Sequence, residues 1–118
     1  MYGYIYLTTC TITRKMYIGA RKWSDIRTLH MDTYLGSGRL LNEDIDRYGK
    51  RYFIKSIIAI ARDLQELNDL ERQFIDKYQA VSSPQFYNMK RGGGVHPQSM
   101  LSRYRMKWAH YCKKLVKK

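Results

Sequence analysis

The side chain that first suggests chemistry is a glutamate placed where a helix should be apolar. Apolar residues recur at helical spacing between residues 64 and 79, and this stripe should face a core; its members are Leu64, Leu67, Leu70, Phe74, Ile75 and Tyr78. Glu71 lies four residues after Leu67 and four before Ile75, so it should project from the same face. A buried carboxylate is costly unless an arginine, a metal ion or a reacting group compensates it. Glu71 is therefore a candidate site residue, with a structural salt bridge to an arginine as the alternative.

The distribution of charge indicates a polyanionic partner. The chain of 118 residues has a net charge of +12, and all ten of its acidic residues lie between Asp25 and Asp76. Residues 77–118 contain ten Lys or Arg and no Asp or Glu. A basic tail that only improves solubility is the alternative, but complete exclusion of acidic residues favours phosphate binding. Nucleic acid is the first candidate partner.

The remaining pattern predicts a small α+β domain. Strands are predicted at 2–9 and 15–20, joined as a hairpin, and a buried third strand at 51–61. Helices are predicted at 39–48, ended by Gly49, and at 64–79, where Asp63 is the N-cap and Glu66 completes a capping box. Residues 21–38 are predicted to be a loop with at most one short helical turn, and 80–95 a second loop.

The end of the chain predicts a separate amphipathic helix from 98 to 118. Its apolar residues recur at heptad spacing, from Leu101 through Trp108 to Leu115. The basic residues largely lie off that stripe; they are Arg103, Arg105, Lys107, Lys113 and Lys114. We therefore divide the chain into a domain at 1–95 and a basic extension at 96–118.

Cysteine content and hydropathy restrict the compartment. Cys10 and Cys112 are too few for a disulfide framework, and their spacing does not suggest zinc. There is no apolar leader at the N-terminus and no apolar run of about 18 residues. The sequence therefore predicts an intracellular, cytoplasmic protein with reduced thiols and no membrane partner.

Two short motifs near the start of the chain resemble the signatures of the GIY-YIG nuclease family, and the resemblance covers roughly residues 2–94. Tyr4-Ile5-Tyr6 stands for the first signature and Tyr17-Ile18-Gly19 for the second, at the spacing usual in the family. The stretch 34–39 and the later Tyr48-Gly49 are similar to those of phage-borne and homing members. Tyr4 departs from the family, which has glycine there, and we expect it to affect packing at the edge of the hairpin more than chemistry.

The other family positions follow in order. Arg27, ten residues after Tyr17, corresponds to the family's catalytic arginine, and His30 follows it. Glu71 matches the metal-ligating glutamate, and Asn88 matches the asparagine that closes the motif set. Arg21 is the alternative for the arginine role, because the alignment between 21 and 38 is loose.

The resemblance implies an α+β fold with a small three-stranded antiparallel sheet flanked by helices, and it implies phosphodiester hydrolysis. Glu71 would hold one Mg²⁺ (or Mn²⁺), whose remaining positions are filled by water and phosphate oxygens. Tyr17 would be the base or proton relay for the attacking water, and Arg27 would stabilise the transition state.

Three further residues complete the implied catalytic set. Tyr6 would orient the water or the scissile phosphate, His30 would share the base or acid role, and Asn88 would hold a loop or a phosphate oxygen in place. Contacts with DNA are expected from basic residues along the whole chain, namely Arg21, Lys22, Arg39, Lys90, Arg91 and the five basic residues of the tail helix given above.

The implied protein is a metal-dependent endonuclease of the homing or phage type. It would act on double-stranded DNA as a monomer or a transient dimer, in the cytoplasm of a bacterial host if it is phage-encoded. The alternatives are a non-catalytic DNA-binding or regulatory protein on the same fold, and a restriction or structure-specific repair nuclease.

Overall fold

The computed structural model describes residues 1–90, which are built around an antiparallel sheet of three strands. The strands are β1 (Gly3–Cys10), β2 (Met16–Lys22) and β3 (Phe53–Ala61), in the order β2-β1-β3. β1 and β2 form the predicted hairpin, and β3 pairs antiparallel with the other edge of β1. The predicted α+β class and the three-stranded antiparallel sheet are confirmed.

The alternation of side chains along the strands divides the core into two layers. Tyr4, Tyr6 and Tyr17 lie on one side of the sheet, which we call the tyrosine face, together with the buried leucines of helix α1 (Arg39–Tyr48). Ile5 and Ile18 lie on the opposite side, where they pack against helix α2 (Leu64–Lys77). A period of two in the strands therefore separates an aromatic layer from an aliphatic one.

The predicted helix ends are confirmed to within two residues. The Asp63 side chain caps α2 by accepting a hydrogen bond from the backbone N–H of Glu66, at 2.8 Å. Glu66 reaches back to the backbone N–H of Arg62 at 2.8 Å, so the two acidic side chains satisfy free N–H groups at the start of the helix. Gly49 ends α1 with a φ of 100°, a conformation that favours glycine.

The prediction that the third strand is buried is wrong. β3 is an outer strand, and Ile54, Ile57 and Ile60 are 58%, 39% and 42% exposed. An apolar run predicts a strand, but it does not tell a central strand from an edge strand. The central strand is β1, so Tyr4 is fully buried in the middle of the sheet and not at the edge of the hairpin.

Two short 3-10 helices lie where a loop and the start of a strand were predicted. The first spans Ile26–Met31, which at three residues per turn makes two turns where the sequence predicted at most one. The second covers Lys50–Tyr52, so β3 begins at Phe53.

Among residues 1–90, no helix combines the length and the apolar character needed to cross a membrane. The predicted tail helix, with Cys112, and the division of the chain at residue 95 lie outside the described residues.

Candidate active site

Tyr6, on the central strand, lies at the middle of a group of tyrosine rings. It is 2% exposed, and its ring centroid lies 5.9 Å from that of Tyr4 and 6.2 Å from those of Tyr17 and Tyr34. β1 supplies Tyr4 and Tyr6, β2 supplies Tyr17, and the segment before α1 supplies Tyr34. Three separate parts of the chain therefore bring phenol side chains to one point on the tyrosine face.

The Tyr6 ring lies directly against the backbone of Gly19, its cross-strand partner. A Cβ atom added to Gly19 would lie 2.3 Å from both Cζ and Oη of Tyr6. Any larger residue would displace the ring, because real Cβ atoms do not approach other atoms so closely. The glycine of the second signature is therefore required for the position of the tyrosine that ends the first signature.

Two further glycines enclose the ring of Tyr17. A Cβ on Gly36 would lie 2.9 Å from Cε2 of this ring, and a Cβ on Gly38 would lie 2.7 Å from Cε1. Gly36 also has a φ of 139°, which L-residues rarely adopt. The loop predicted at 21–38 did not indicate that its glycines hold Tyr17.

Glu71 lies within electrostatic range of this group. Burial raises the pKa of Tyr6, and the neighbouring Tyr17, Tyr34 and Glu71 raise it further. The Tyr6 phenol therefore stays protonated at neutral pH and is suited to donate a hydrogen bond. Glu71 itself is half-buried on α2. The structure thus packs Tyr6 against Tyr17, with Glu71 of α2 within electrostatic range of Tyr6, and the catalytic roles of the three stay predictions.

A buried ion network that was not predicted from the sequence adjoins the tyrosines. The Asp32 side chain is 4% exposed and accepts hydrogen bonds from Tyr4 Oη and from Arg21 Nε, the latter at 2.7 Å. Its other oxygen accepts from the backbone N–H of Tyr34 at 3.2 Å. Lys55 Nζ donates to Tyr4 Oη at 2.8 Å and lies 3.8 Å from Asp32. One carboxylate thus joins all three strands to the segment before α1.

The network changes the ionisation of its members. Burial alone would raise the pKa of Asp32, but the hydrogen bonds from Arg21 and Tyr4 hold that pKa below its usual value. Burial, together with the Asp32 charge, raises the pKa of Tyr4. Burial lowers the pKa of Lys55, although Asp32 partly offsets this effect. Two features of the sequence could have indicated this network, namely a lysine in the middle of an apolar strand and an aspartate two residues before Tyr34.

The two candidate arginines have different surroundings. Arg27 lies on the first 3-10 helix, its side chain is 86% exposed, and its Nε is 3.1 Å from Asp25 Oδ1. The Arg21 side chain is 34% exposed, and its guanidinium lies 4.0 Å from the centre of the Tyr34 ring, which in turn contacts Tyr6. The structure therefore connects Arg21 to the tyrosine group, while Arg27 is bound at the surface.

His30 and Asn88 do not join the tyrosine group directly. His30 is exposed at the end of the first 3-10 helix and lines a cavity with Asp32 and Lys55. Asn88 is 3% exposed; its Oδ1 accepts from the backbone N–H of Ile18 at 2.9 Å, and its Nδ2 donates to the Ile18 carbonyl at 2.7 Å. The Asn88 amide therefore holds the strand that carries Tyr17, and its contact with a phosphate oxygen stays a prediction.

The remaining basic residues predicted to contact DNA lie at the surface where they are described. Lys22 is exposed beside the ring of Tyr2, and Arg39 is exposed at the start of α1, 3.5 Å from Glu43. Lys90 is exposed at the end of the described range. The other predicted contacts lie outside the described residues; they are Arg91, Arg103, Arg105, Lys107, Lys113 and Lys114.

The carboxylate of Glu71 fits a metal ion held mainly by water and substrate. Within residues 1–90 no group of three or more His, Cys, Asp or Glu side chains is arranged to hold a metal. Mg²⁺ commonly binds through one or two carboxylates and keeps several waters, with substrate phosphates as further ligands. A single half-buried carboxylate within electrostatic range of a protonated phenol is compatible with such binding, and the described residues do not form an all-protein cage.

Comparison with known proteins agrees with these motifs. Residues 1–90 match the family model described as "Putative endonuclease segE, GIY-YIG domain". Among curated proteins, the chain is 35% identical over 92 residues to "Endonuclease segA" of Enterobacteria phage T4, covering 78% of this chain and 39% of that protein. It is 34% identical over 93 residues to "Putative endonuclease segE" of the same phage, covering 79% and 43%. The chain thus spans about two fifths of the length of these relatives, and no solved structure matches it.

Replacing the Asp32 carboxylate should reveal how much the buried network contributes to stability. Asp32→Asn leaves the charges of Arg21 and Lys55 uncompensated, so the free energy of unfolding at pH 7 should fall by about 3 kcal/mol in urea denaturation. Because the pKa of Asp32 is held below its ordinary value of 3.8, its contribution is complete above that pH and is lost as the pH falls further. The difference between wild type and variant should be constant from about pH 7 to about pH 5 and should shrink below about pH 4.

The matched control is Asp46→Asn, at an exposed position of α1. It should change stability by less than about 0.5 kcal/mol at every pH. If the two variants have equal stabilities at pH 7, Asp32 does not hold the network together.

Proposed function

The chain belongs to the GIY-YIG endonuclease family of the segE type, and from that premise we propose that it cuts DNA by hydrolysing phosphodiester bonds with one divalent metal ion at Glu71. Mg²⁺ is the proposed ion, with Mn²⁺ as a substitute. The observation that carries the proposal is the packing of Tyr6 against Tyr17 on the tyrosine face, with Glu71 of α2 within electrostatic range of Tyr6. A half-buried carboxylate within electrostatic range of packed phenols favours catalysis over DNA binding alone, because active sites are where such unfavourable placements are kept.

Two observations support DNA as the substrate, namely the net charge of this chain and the names of its relatives. A net charge of +12 favours a polyanion, and the similar phage T4 proteins are named as endonucleases. We propose double-stranded DNA as the substrate, bound by a monomer or a transient dimer. The phage origin of the relatives supports action in the cytoplasm of an infected bacterium. Because a single Glu71 site cuts one strand at a time, a double-strand break requires two nicks or two copies.

The proposed chemistry divides among side chains according to their charge. The metal at Glu71 would supply charge neutralisation at the phosphate and acidify a bound water. Tyr6, protonated at neutral pH, donates a hydrogen bond that orients the water or a phosphate oxygen. Tyr17 would accept a proton of the attacking water while it passes its own phenol proton to a solvent water, and the leaving 3′ oxygen would take a proton from solvent. The Tyr17 ring, held between two glycines, has little freedom to leave that position.

We propose Arg21 as the arginine that stabilises the transition state, with Arg27 as the alternative. A guanidinium remains charged at all relevant pH values and binds phosphate oxygens in pairs. Arg21 is oriented by Asp32 on one side and by the Tyr34 ring on the other, so it is preorganised for this role. Arg27 would have to break its contact with Asp25 and move toward the tyrosines with the 3-10 helix that carries it.

Substitution of Glu71 tests the metal site. Glu71→Gln keeps the size of the side chain but removes the charge, so nicking of supercoiled plasmid with Mg²⁺ should fall by at least about 100-fold. Affinity for a DNA duplex in EDTA should stay within about two-fold, because the other cationic surfaces are unchanged. Glu66→Gln, on the same helix, is the control and should nick at the wild-type rate. Nicking by Glu71→Gln at the wild-type rate, or by wild type in EDTA, would refute the proposal.

Paired substitutions distinguish the two arginines. Arg21→Lys keeps the positive charge beside Asp32 but loses the planar, paired contact with phosphate, so the single-turnover nicking rate should fall by about 100-fold. Arg27→Lys should stay within about two-fold of wild type. Thermal unfolding of both variants checks that neither loss comes from unfolding. The reverse order of the two rates would assign the role to Arg27.

A further inference from the structure

A cavity of about 400 Å³, with charged groups among largely apolar walls, lies on the tyrosine face between the first 3-10 helix and β3. We call it the β3 pocket. Its polar lining includes His30, Asp32, Lys50 and Lys55, and Leu29 and Phe53 are among its apolar walls. The volume lies in the range of ligand pockets and is well above that of a single water site.

The charges in and beside the pocket favour an anion. The single carboxylate, Asp32, already accepts from Arg21 and lies 3.8 Å from Lys55. Lys50, at the start of the second 3-10 helix, adds a further cation. Arg21, Lys50 and Lys55 thus carry three positive charges against the single negative charge of Asp32, which leaves a net positive charge. Asp32 is already engaged by its cationic partners and is not available to bind a metal cation.

The Lys55 ammonium has the geometry of an anion ligand. Its side chain is 11% exposed, so it lies at the bottom of the pocket and not on the open surface. An ammonium has three N–H donors, and Tyr4 Oη accepts one of them at 2.8 Å. A partly buried ammonium with further donors binds a phosphate oxygen more strongly than an exposed lysine does, because water competes less.

We propose that the β3 pocket binds a backbone phosphate of the DNA. This phosphate is the neighbour of the scissile phosphate, which lies at Tyr6, and its two cationic contacts are Lys50 and Lys55. This inference rests on the proposed function, since it takes DNA as the ligand. Lys55 Nζ lies 5.5 Å from the centre of the Tyr6 ring, so the pocket adjoins the candidate active site. Phosphates of one strand repeat about every 3.4 Å along the axis of the duplex, which brings a flanking phosphate within reach.

Occupation of the pocket would fix the position of the strand along its own axis. A phosphate held at Lys50 and Lys55 leaves the neighbouring phosphate little freedom to slide past Tyr6 and Arg21. The contact involves no base, so it would act on every sequence alike. Removal of either lysine should therefore lower the affinity for DNA by an amount that depends on the salt concentration and not on the DNA sequence.

The test is the salt dependence of binding to a short DNA duplex, measured by fluorescence anisotropy in EDTA, where no cleavage occurs. Each lost phosphate contact should reduce the slope of log K against log[salt] by about 0.9. Lys50→Gln and Lys55→Met should each show this reduction, and the double variant about twice as much. Lys50→Arg should keep the wild-type slope, because it keeps the charge.

Lys77→Gln is the matched control, since Lys77 is an exposed lysine at the end of α2 beside the Tyr78 ring. It should bind with the wild-type slope. Lys55 also contacts Tyr4, so the exposed Lys50 keeps the test valid if Lys55→Met unfolds. Wild-type slopes for Lys50→Gln would overturn the proposal, as would a wild-type protein that binds no duplex.

The outcome is separable from that of the proposed function. Nicking of plasmid by wild type with Mg²⁺, together with unchanged slopes in the lysine variants, would refute the pocket alone. Reduced slopes without nicking would support the phosphate site and refute the nuclease.

Discussion

The contact between the Tyr6 ring and the bare backbone of Gly19 is the constraint on which the rest of the site depends. The ring occupies the space that any side chain on Gly19 would need, and the other tyrosines pack around that ring. The Tyr17 ring is packed on glycine backbone in the same way, because Gly36 and Gly38 lie on either side of it. The site is therefore built from rigid phenols laid on glycine backbone. This arrangement fixes polar groups in a buried layer without long, flexible side chains.

A second constraint is electrostatic. Asp32 is nearly inaccessible to water, and it holds Arg21, Tyr4 and Lys55 around one carboxylate. The group links all three strands to the segment that carries Tyr34. The same contacts therefore fix the positions of the tyrosines and those of the cationic groups of Arg21 and Lys55. Removing one member of such a network costs more than its own hydrogen bonds, since the others remain buried and charged.

Much of the fold was predictable because it follows from local patterns. Alternation in the strands and the helical periodicity gave the hairpin, both helices and the anomaly at Glu71. The position of β3 at the edge of the sheet was not predictable, since an apolar run does not reveal how many neighbours a strand has. The roles of Asp32 and Lys55 were missed for a related reason. Each has a partner that is distant in sequence, 28 residues away in the bond between Tyr4 and Asp32 and 51 residues away in that between Lys55 and Tyr4.

The most direct test of the account is the single-turnover nicking rate of Gly19→Ala. The added methyl group would lie 2.3 Å from Tyr6 Oη, so the phenol must move while the basic surfaces stay in place. We predict a loss of at least about 100-fold in rate, with duplex affinity in EDTA within about two-fold of wild type. Ile75→Val, in the aliphatic layer, gives a destabilised control that should cut normally and lose about 1 kcal/mol of stability. Wild-type nicking by Gly19→Ala would contradict the claim that the Tyr6 group is the catalytic centre.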